Sequence, residues 1–575
     1  MHHGAALPLP VDVMDHGGVN ASPLRPRPAP ARPPFPRRRL LQSALALPLA
    51  GGLLVACDGD DTAPGTTSDG GGAAQDPDAV QRSTETAGVM AADANAVSAA
   101  TFTSSPVAVV AASEDAAVLA PAASAAIALG VPLLIGDATS VAEPLNTLGA
   151  RAALTFGPLE LDGVDMVRGR GDVEALSDAT GHDFSERRPV AAEDLATEIA
   201  GLEAGGGVLL TIGEDPVPGE DLDGKRKLPD FEAAPGDSTP LALTATGAET
   251  PVGALAAAKA AGATMTELPH ADPRFSSESV QAVTAATGPV LALGPEFGDQ
   301  FPARVEMART APEVPGGGQL VIPGKRIIAL YGHPGSPVLG VMGEQGPQES
   351  VARAEEHAAP YRDLTEDTVV PSFEIIATVA SSTAGRDGRY SNVSTIDHLR
   401  PYVDAARENG MFAILDLQPG RTHFLEQAKI YEELLKEPHV GLALDPEWRL
   451  KPDQVHLKQI GSVEAAEVNE VSAWLAELTR TNNLPQKILV LHQFRYSMIR
   501  NRQDLDTSHD ELAMILHADG QGGQGAKTAT WEALKKDLPE GIHMAWKNFY
   551  DEDIPMLDAE QTFQVEPTPV MVSYQ

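Results

Sequence analysis

The sequence predicts an α/β protein with two folded parts, a Rossmann-like α/β duplication followed by a (β/α)₈ TIM barrel. Two patterns lead to this prediction. In the first half, a strand–helix–strand–helix–strand order occurs twice, and in residues 326–575 eight apolar strands alternate with amphipathic segments. The strands are short, continuous apolar runs, which are typical of parallel sheets covered on both faces.

Residues 1–57 have the features of an export signal. Residues 37–42, RRRLLQ, resemble a twin-arginine motif, and an apolar core at 40–55 leads to a small residue before Cys57. This order resembles an actinobacterial-type lipoprotein signal. The resemblance implies a lipidated Cys57 that anchors the chain at the extracytoplasmic face of the cell membrane. The alternative is a transmembrane anchor or buried helix, but the apolar run is shorter than the roughly 20 residues of a span.

Composition excludes several classes of partner and chemistry. The chain carries 80 acidic and 42 basic residues and a formal charge of −38, which repels nucleic acid and anionic lipid. Cys57 is the only cysteine, so the body after it has no disulfide and no thiolate chemistry. Residues 58–86 are rich in Gly, Asp, Thr and Ser and predict a flexible linker.

The domain predicted at 87–310 contains the two copies of the α/β pattern. The first copy has apolar or helical segments at 106–113, 126–130, 131–137 and 150–158, and the second at 239–246, 253–262, 263–269 and 288–296. A further strand is predicted at 205–215. Such self-similarity indicates duplication. Because GxGxxG is absent from the strand ends, no dinucleotide cofactor is expected.

Part of the first copy resembles the cell wall-binding repeat 2 family. The matching segments are APAA at 120–123, GVPLL at 130–134 and ALTFG at 153–157. EDAA at 114–117 replaces the family's Asn-Phe-Ala-Asp-Ala signature, and three tandem repeats are not visible. The resemblance implies contact with a cell-wall polymer. The alternative is an α/β domain that only packs on the barrel.

Residues 311–325 combine Pro and Gly and predict a linker before the barrel at 326–575. The eight barrel strands are predicted at 326–335, 372–382, 411–420, 440–448, 487–494, 511–520, 541–550 and 569–575. In a TIM barrel, reactive groups lie where the strands end. We therefore expect a functional site in the residues at these strand ends.

The residues at the end of the predicted fourth strand indicate acid chemistry. Asp445 and Glu447 share a face of an extended chain, and this D-x-E pair resembles the acidic motif of chitinase-like and muramidase-like glycoside hydrolase barrels. The resemblance implies that Glu447 is the general acid and that Asp445 orients it or the substrate. Asp416 on the third strand supplies another carboxylate, and neighbouring carboxylates raise one pKa by repulsion. Alternatively, Asp445 ends a strand and caps a turn, or either pair of carboxylates binds a cation.

Other residues at the strand ends suggest substrate contacts. The expected substrate-binding residues are Gln418, Trp448, His492, Asp519, Trp546 and Tyr550. The three aromatic members stack on sugar rings or pack the barrel rim. His492, His517 and Asp519 offer a metal site as an alternative. No HxH on the first strand and no HExxH accompany them, so neither a metal nor another cofactor is expected.

The sequence thus predicts an exported, lipid-anchored envelope protein whose barrel hydrolyses a glycosidic bond in an envelope or extracellular glycan. Its expected partners are the membrane, through lipidated Cys57, and a cell-wall polymer or glycan. The alternatives are a non-catalytic wall- or carbohydrate-binding lipoprotein and a purely structural lipoprotein.

Overall fold

The computed structural model describes residues 77–213, 226–234 and 236–575. The predicted export signal, Cys57 and most of the predicted linker at 58–86 lie outside the described residues. The described chain belongs to a single compact unit. Within it, no helix is long and apolar enough to cross a membrane.

The N-terminal domain consists of short strands and helices. The strands are β1 (Gln81–Arg82), β2 (Gly88–Met90), β3 (Phe102–Ser104), β4 (Val107–Ala111), β5 (Leu133–Ile135), β6 (Ala152–Phe156), β7 (Asp165–Arg168), β8 (Glu186–Val190), β9 (Val208–Ile212), β10 (Leu241–Ala245), β11 (Thr264–Leu268) and β12 (Val290–Ala292). The helices are α1 (Ala94–Thr101), α2 (Ala116–Leu129), α3 (Ala138–Leu148), α4 (Val173–Thr180), α5 (Leu195–Ala200), α6 (Val252–Ala260), α7 (Ser277–Ala285) and α8 (Phe301–Thr310).

Two parallel four-stranded sheets dominate this domain. Their strand orders are β5-β4-β6-β7 and β11-β10-β12-β2. The first three strands of each sheet come from one predicted copy, and they are arranged in the same order in both sheets. The fourth strand differs, since β7 follows the first copy and β2 precedes it.

Alanine-rich helices lie between the two sheets. The side chains of α2 and α6 belong to one buried apolar cluster, and small alanine side chains allow the helices to approach closely. Helix α2 begins at Asp115, whose carboxylate accepts the Ala117 N–H at 2.9 Å. It ends at Gly130, whose φ of 65° is the left-handed conformation that favours glycine.

Residues 311–325, expected as a linker, pack against the end of the barrel where its strands begin. Val314, Val321 and Ile322 belong to the apolar cluster that fills the barrel interior. The Gln486 side-chain oxygen accepts the N–H groups of Val321 at 2.9 Å and Ile322 at 3.2 Å. Residues 311–325 are therefore a fixed segment that closes this end of the barrel, although they are rich in Pro and Gly.

A buried ion pair also joins the N-terminal domain to the barrel. Arg274 Nη2 lies 2.8 Å from Asp272 Oδ2 and 2.8 Å from Asp510 Oδ2, and only 1% of the Arg274 side chain is exposed. Arg304 Nη2 lies 2.8 Å from the other oxygen of Asp510. Asp510 is in the barrel domain, so both arginines fix its position relative to the first domain.

The C-terminal part is a closed barrel surrounded by helices. Its strands, and the short strands in its loops, are β13 (Lys325–His333), β14 (Ser336–Gly340), β15 (Thr368–Ala380), β16 (Ser391–Val393), β17 (Phe412–Leu417), β18 (Val440–Leu444), β19 (Val463–Glu464), β20 (Lys487–Gln493), β21 (Ile499–Arg500), β22 (Leu512–Ala518), β23 (Ile542–Asn548) and β24 (Met571–Tyr574). The helices are α9 (Pro347–Ala358), α10 (Ile396–Glu408), α11 (Phe424–Ala428), α12 (Glu432–Leu435), α13 (Ala465–Thr481), α14 (Gln524–Lys535) and α15 (Ala559–Phe563).

Eight parallel strands form the barrel in the order β13-β15-β17-β18-β20-β22-β23-β24, and β24 pairs with β13 to close it. Each overlaps a strand predicted from the sequence, so the predicted α/β class and the eight-stranded barrel are confirmed. The fourth strand, however, ends at Leu444 and not at 448, so Asp445 and Glu447 follow it.

The inner face of the barrel changes from apolar to polar along the strands. On β20, Ile488 and Val490 fill the interior, and His492 follows two residues later on the same face. On β23, Ala545 is inside and Lys547 follows it in the same way. The alternation thus places a polar layer near the ends of the strands, directly above an apolar core.

Candidate functional site

The polar layer is built from nearly every strand of the barrel. Its buried members are Tyr331, Glu374, Asp416, His492, His517, Lys547 and Ser573, joined by Asp445 just after β18. Five of these side chains are ionisable groups within strands, and the apolar residues below them offer no charged partner: Glu374, Asp416, His492, His517 and Lys547. Buried ionisable groups need charged or hydrogen-bonding partners, and here the members of the layer supply them to one another.

A chain of ion pairs runs through this layer. His492 lies between two carboxylates, with Nε2 2.7 Å from Glu374 Oε1 and Nδ1 3.0 Å from Asp519 Oδ2. Burial opposes charge on the imidazole, but the Glu374 charge and hydrogen bonds to both carboxylates raise the pKa of His492 well above its usual value. His492 is therefore an imidazolium held by Glu374 and Asp519.

Lys547 continues the chain on the other side of Asp519. Its Nζ lies 3.1 Å from Asp519 Oδ1 and 3.5 Å from the centre of the Tyr331 ring. Burial raises the pKa of Asp519, but the charge of Lys547 and the contact with His492 outweigh it, so the pKa lies below its usual value. Asp519 is accordingly ionised.

Tyr331 covers Asp416. The Tyr331 hydroxyl donates a hydrogen bond to Asp416 Oδ2 at 2.9 Å, and both side chains are buried. Burial raises the pKa of Asp416 to about 6, against the opposing charge of His492. Asp416 thus lies below the surface that a substrate would meet.

Above this layer lies a cavity of about 660 Å³. Its walls combine carboxylates, polar and cationic groups, and aromatic rings. They include Asp445, Glu447, Asp519, Gln418, Arg495, Lys547, Trp448, Phe494 and Phe549. A cleft of this size and composition suits a small polar molecule or a few units of a polymer.

Glu447 is held in a short turn at the edge of the cavity. The turn spans Pro446–Trp448, and Asp445 caps it by accepting the Glu447 N–H at 3.1 Å. The Gly461 N–H donates to the Glu447 carbonyl at 2.7 Å. A Cβ at Gly461 would lie 2.3 Å from that carbonyl oxygen, so the close approach requires glycine.

The two acidic residues of this turn both favour protonation. Burial and then the charge of Asp519 raise the pKa of Glu447 to about 7, against the opposing charge of Lys547. Burial and the neighbouring Asp416 raise the pKa of Asp445 well above its usual value. Glu447, which is only partly buried, is therefore the group that can deliver a proton into the cavity near neutral pH.

The structure brings five of the predicted site residues to the cavity, namely Glu447, Asp445, Gln418, Trp448 and Asp519. Two others, Asp416 and His492, lie in the fully buried layer beneath it.

The prediction that Trp546 stacks on a sugar is wrong. Trp546 faces out of the barrel, because residues 545 and 547 face in. Its ring packs 5.5 Å from that of Trp531, and its Nε1 donates to Asn548 at 2.9 Å. Tyr550 is not among the residues that line the cavity. Its hydroxyl instead contacts His357, and its ring lies 6.1 Å from that of Tyr574.

Sequence reasoning missed Glu374 and the role of Lys547. Both are charged residues within largely buried strands, which is itself an unusual feature. Glu374 also lies four residues after Val370, an interior residue of the same strand, so strand periodicity directs it inward. The strand pattern thus shows that Glu374 faces the barrel interior, but it does not show which residue Glu374 contacts.

No protein-family model matches this chain, and no curated protein sequence is significantly similar to it. The chemistry available is that of the cavity itself. It pairs a carboxylic acid that is protonated near neutrality with an ionised carboxylate, and such divergent pKa values are typical of acid–base sites.

Proposed function

We propose that the barrel hydrolyses a glycosidic bond in a cell-envelope or extracellular glycan, with Glu447 as the general acid. The observation that carries this proposal is the partly buried Glu447 carboxyl at the cavity wall, whose pKa is raised to about 7. Cleavage of a glycosidic bond requires an acid that is still protonated near neutral pH to protonate the leaving oxygen.

We assign the second carboxylate to Asp519 in place of Asp416. Asp519 lines the cavity and is kept ionised by Lys547 and His492. Asp416, by contrast, is covered by the Tyr331 hydroxyl. The proton of Glu447 goes to the glycosidic oxygen as the bond to the sugar carbon breaks. Asp519 stabilises the positive charge that develops on the ring, and water adds its oxygen to that carbon and returns one proton to Glu447.

Asp445 acts through Glu447. Its side-chain oxygen accepts the Glu447 N–H, and burial raises its pKa well above the usual value. Asp445 is therefore a positioning residue, which holds the acid at the cavity edge.

Aromatic rings provide the surface for a sugar. Trp448, Phe494 and Phe549 line the cavity, and Trp448 is held edge-on at 5.3 Å from the His456 ring. Aromatic faces pack well against the apolar faces of sugar rings. Gln418 lines the same cavity, and its side-chain oxygen accepts the Ala380 N–H at 3.0 Å, which fixes the orientation of the amide.

The cellular setting is part of the same proposal. The motif at 37–57 supports export and lipidation of Cys57, which would anchor the barrel at the extracytoplasmic face of the membrane. The shared strand order of the two N-terminal sheets supports a duplicated Rossmann-like unit, and the resemblance at 120–157 supports its contact with a wall polymer.

The second candidate function is non-catalytic binding of a wall polymer or carbohydrate. It is favoured by the engagement of both Asp519 oxygens, one by His492 and one by Lys547. A carboxylate so fully paired has less freedom to assist a reaction.

The test uses purified protein with isolated cell-wall material and soluble glycans, and measures newly formed reducing ends. We expect turnover by the natural chain and a loss of about 10²–10⁴-fold in kcat for Glu447→Gln. Glu426→Gln, an exposed carboxylate paired with Arg389, is the matched control and should retain activity.

Two outcomes would contradict the proposal. Undiminished turnover by folded Glu447→Gln would exclude Glu447 as the acid. Retention of the natural protein on wall material without any turnover would favour the binding function.

A further inference from the structure

Beneath the cavity floor, Glu374 lies between two histidines. These residues come from β15, β20 and β22, and all three side chains are fully buried. One ligand-type atom from each of Glu374, His492 and His517 lies within 4.8 Å of the other two. Side chains from three different strands thus converge on one point inside the barrel.

Two atoms of this cluster lack a hydrogen-bond partner among the described residues. They are Glu374 Oε2 and His517 Nδ1, which lie 3.7 Å apart. That separation is too long for a hydrogen bond. A buried polar atom without a partner costs about 1–3 kcal/mol, so both atoms would be stabilised by a ligand that they share.

The other ring nitrogens of the histidines are already held. His517 Nε2 lies 3.0 Å from Ser573 Oγ, and His492 Nδ1 lies 3.0 Å from Asp519 Oδ2. Histidines that bind a metal through one nitrogen nearly always hydrogen-bond through the other, often to a carboxylate. Both rings are therefore oriented with the remaining nitrogen toward Glu374.

We propose that Glu374, His492 and His517 bind one divalent transition-metal ion of the zinc class. Two imidazoles and one carboxylate are a donor set that suits such ions. Ligand atoms about 2.0–2.1 Å from a tetrahedral ion lie about 3.4 Å apart. Glu374 Oε1 lies 2.7 Å from His492 Nε2 and Glu374 Oε2 lies 3.7 Å from His517 Nδ1, so the two oxygen–nitrogen distances lie on either side of that value.

Binding of the metal ion requires the loss of one proton. The proton shared by His492 Nε2 and Glu374 leaves to solvent, and the ion takes its place between them. The layer then gains one positive charge, and Glu374 is the carboxylate in direct contact with the ion.

The ion would lie below Tyr331, Asp519 and Lys547, which line the cavity, whereas its three ligands do not. Its expected role is to hold β15, β20 and β22 together. The proposal rests on this barrel geometry and not on the identity of the reaction.

The experiment uses the full chain, stripped with a chelator and then titrated with zinc in competition with a chromophoric chelator. We expect one zinc ion per chain by elemental analysis and a thermal midpoint several degrees higher with zinc. His517→Gln and Glu374→Gln should each reduce the affinity at least 100-fold. His439→Gln is the matched control, because His439 is also buried but bonds the Val403 carbonyl.

A second measurement needs no variant. Cobalt substituted into the natural chain should give visible absorption bands of a four-coordinate site with nitrogen and oxygen ligands. The proposal is overturned if the folded natural chain binds no zinc or cobalt stoichiometrically. It is also overturned if folded His517→Gln binds zinc as tightly as the natural chain. Either result would leave a water molecule as the occupant between Glu374 and His517.

Discussion

Lys547 Nζ lies 3.1 Å from Asp519 Oδ1, with 2% and 10% of the two side chains exposed. The pair connects β23 to the residue that follows β22, and both side chains line the cavity. Because both groups are largely shielded from water, neither charge is tolerated there alone. The pair thus contributes to the stability of the barrel and also keeps Asp519 negatively charged at the cavity.

The ion pair is testable by a double-mutant cycle. Asp519→Asn should lower the free energy of unfolding by about 3–5 kcal/mol, because it leaves the buried Lys547 without its carboxylate. Lys547→Met should lower it by less, because Asp519 keeps His492 as a charged partner. The double variant should lose less than the sum, with a coupling of at least about 1.5 kcal/mol. Denaturant unfolding with a chelator present measures this coupling without a metal contribution. Simple additivity would show that the two charges act independently.

The raised pKa of Glu447 predicts the pH dependence of hydrolysis. Glu447 must be protonated to act as an acid, and its pKa is about 7. We therefore expect kcat to fall about tenfold per pH unit above pH ~7. A pH–rate profile of the natural chain measures the alkaline limb. A limb centred near the usual glutamate value would contradict the assigned environment of Glu447.

The same group predicts a pH dependence of stability. The folded pKa of Glu447 is about 7, above the usual value of 4.5, so the folded state holds a proton that the unfolded chain has lost between these values. Stability therefore falls as pH rises through this window. Glu447→Gln removes the cost of ionising this carboxyl in the folded state. The variant should therefore be more stable than the natural chain by about 1–3 kcal/mol at pH 8.

The difference should disappear near pH 4, where Glu447 is protonated in both states. Thermal unfolding at both pH values tests this sign. If Glu447→Gln changed the stability equally at both pH values, the effect would come from packing and not from charge.

The contact between the N-terminal domain and the barrel depends on Arg274. Arg274→Met removes the buried partner of Asp272 and Asp510, which both keep Arg304, so we expect a loss of about 1.5–3 kcal/mol in the free energy of unfolding. Arg188→Met is the control, because Arg188 pairs with Glu186 at an exposed position within the N-terminal domain. Calorimetry should show separate unfolding transitions for Arg274→Met and one for the control. A single unchanged transition would show that other contacts couple the domains.

Local patterns in the sequence were sufficient to predict the barrel. Each strand is an apolar run of the length that a parallel strand needs, and its position depends on neighbours in the chain. The polar residues after these runs, such as Glu447 and Asp519, were likewise visible because strand ends carry the chemistry in this architecture. Their assignment to one cavity followed from the fold class.

Contacts between distant strands could only be seen in the tertiary structure. Glu374 meets His492 across 118 positions of the chain, and no spacing rule relates them. Closure of the barrel made Glu374 the central group of the buried layer and placed Tyr331 over Asp416.

The amino-acid sequence by itself determined the class of fold, the order of strands and the acidic residues at their ends, because these depend on local periodicity. Only the tertiary structure decided which face Trp546 occupies, that residues 311–325 close the barrel, and which charges neutralise each other. Those outcomes depend on the closure and packing of the whole barrel, where burial makes each charge depend on a partner from another strand.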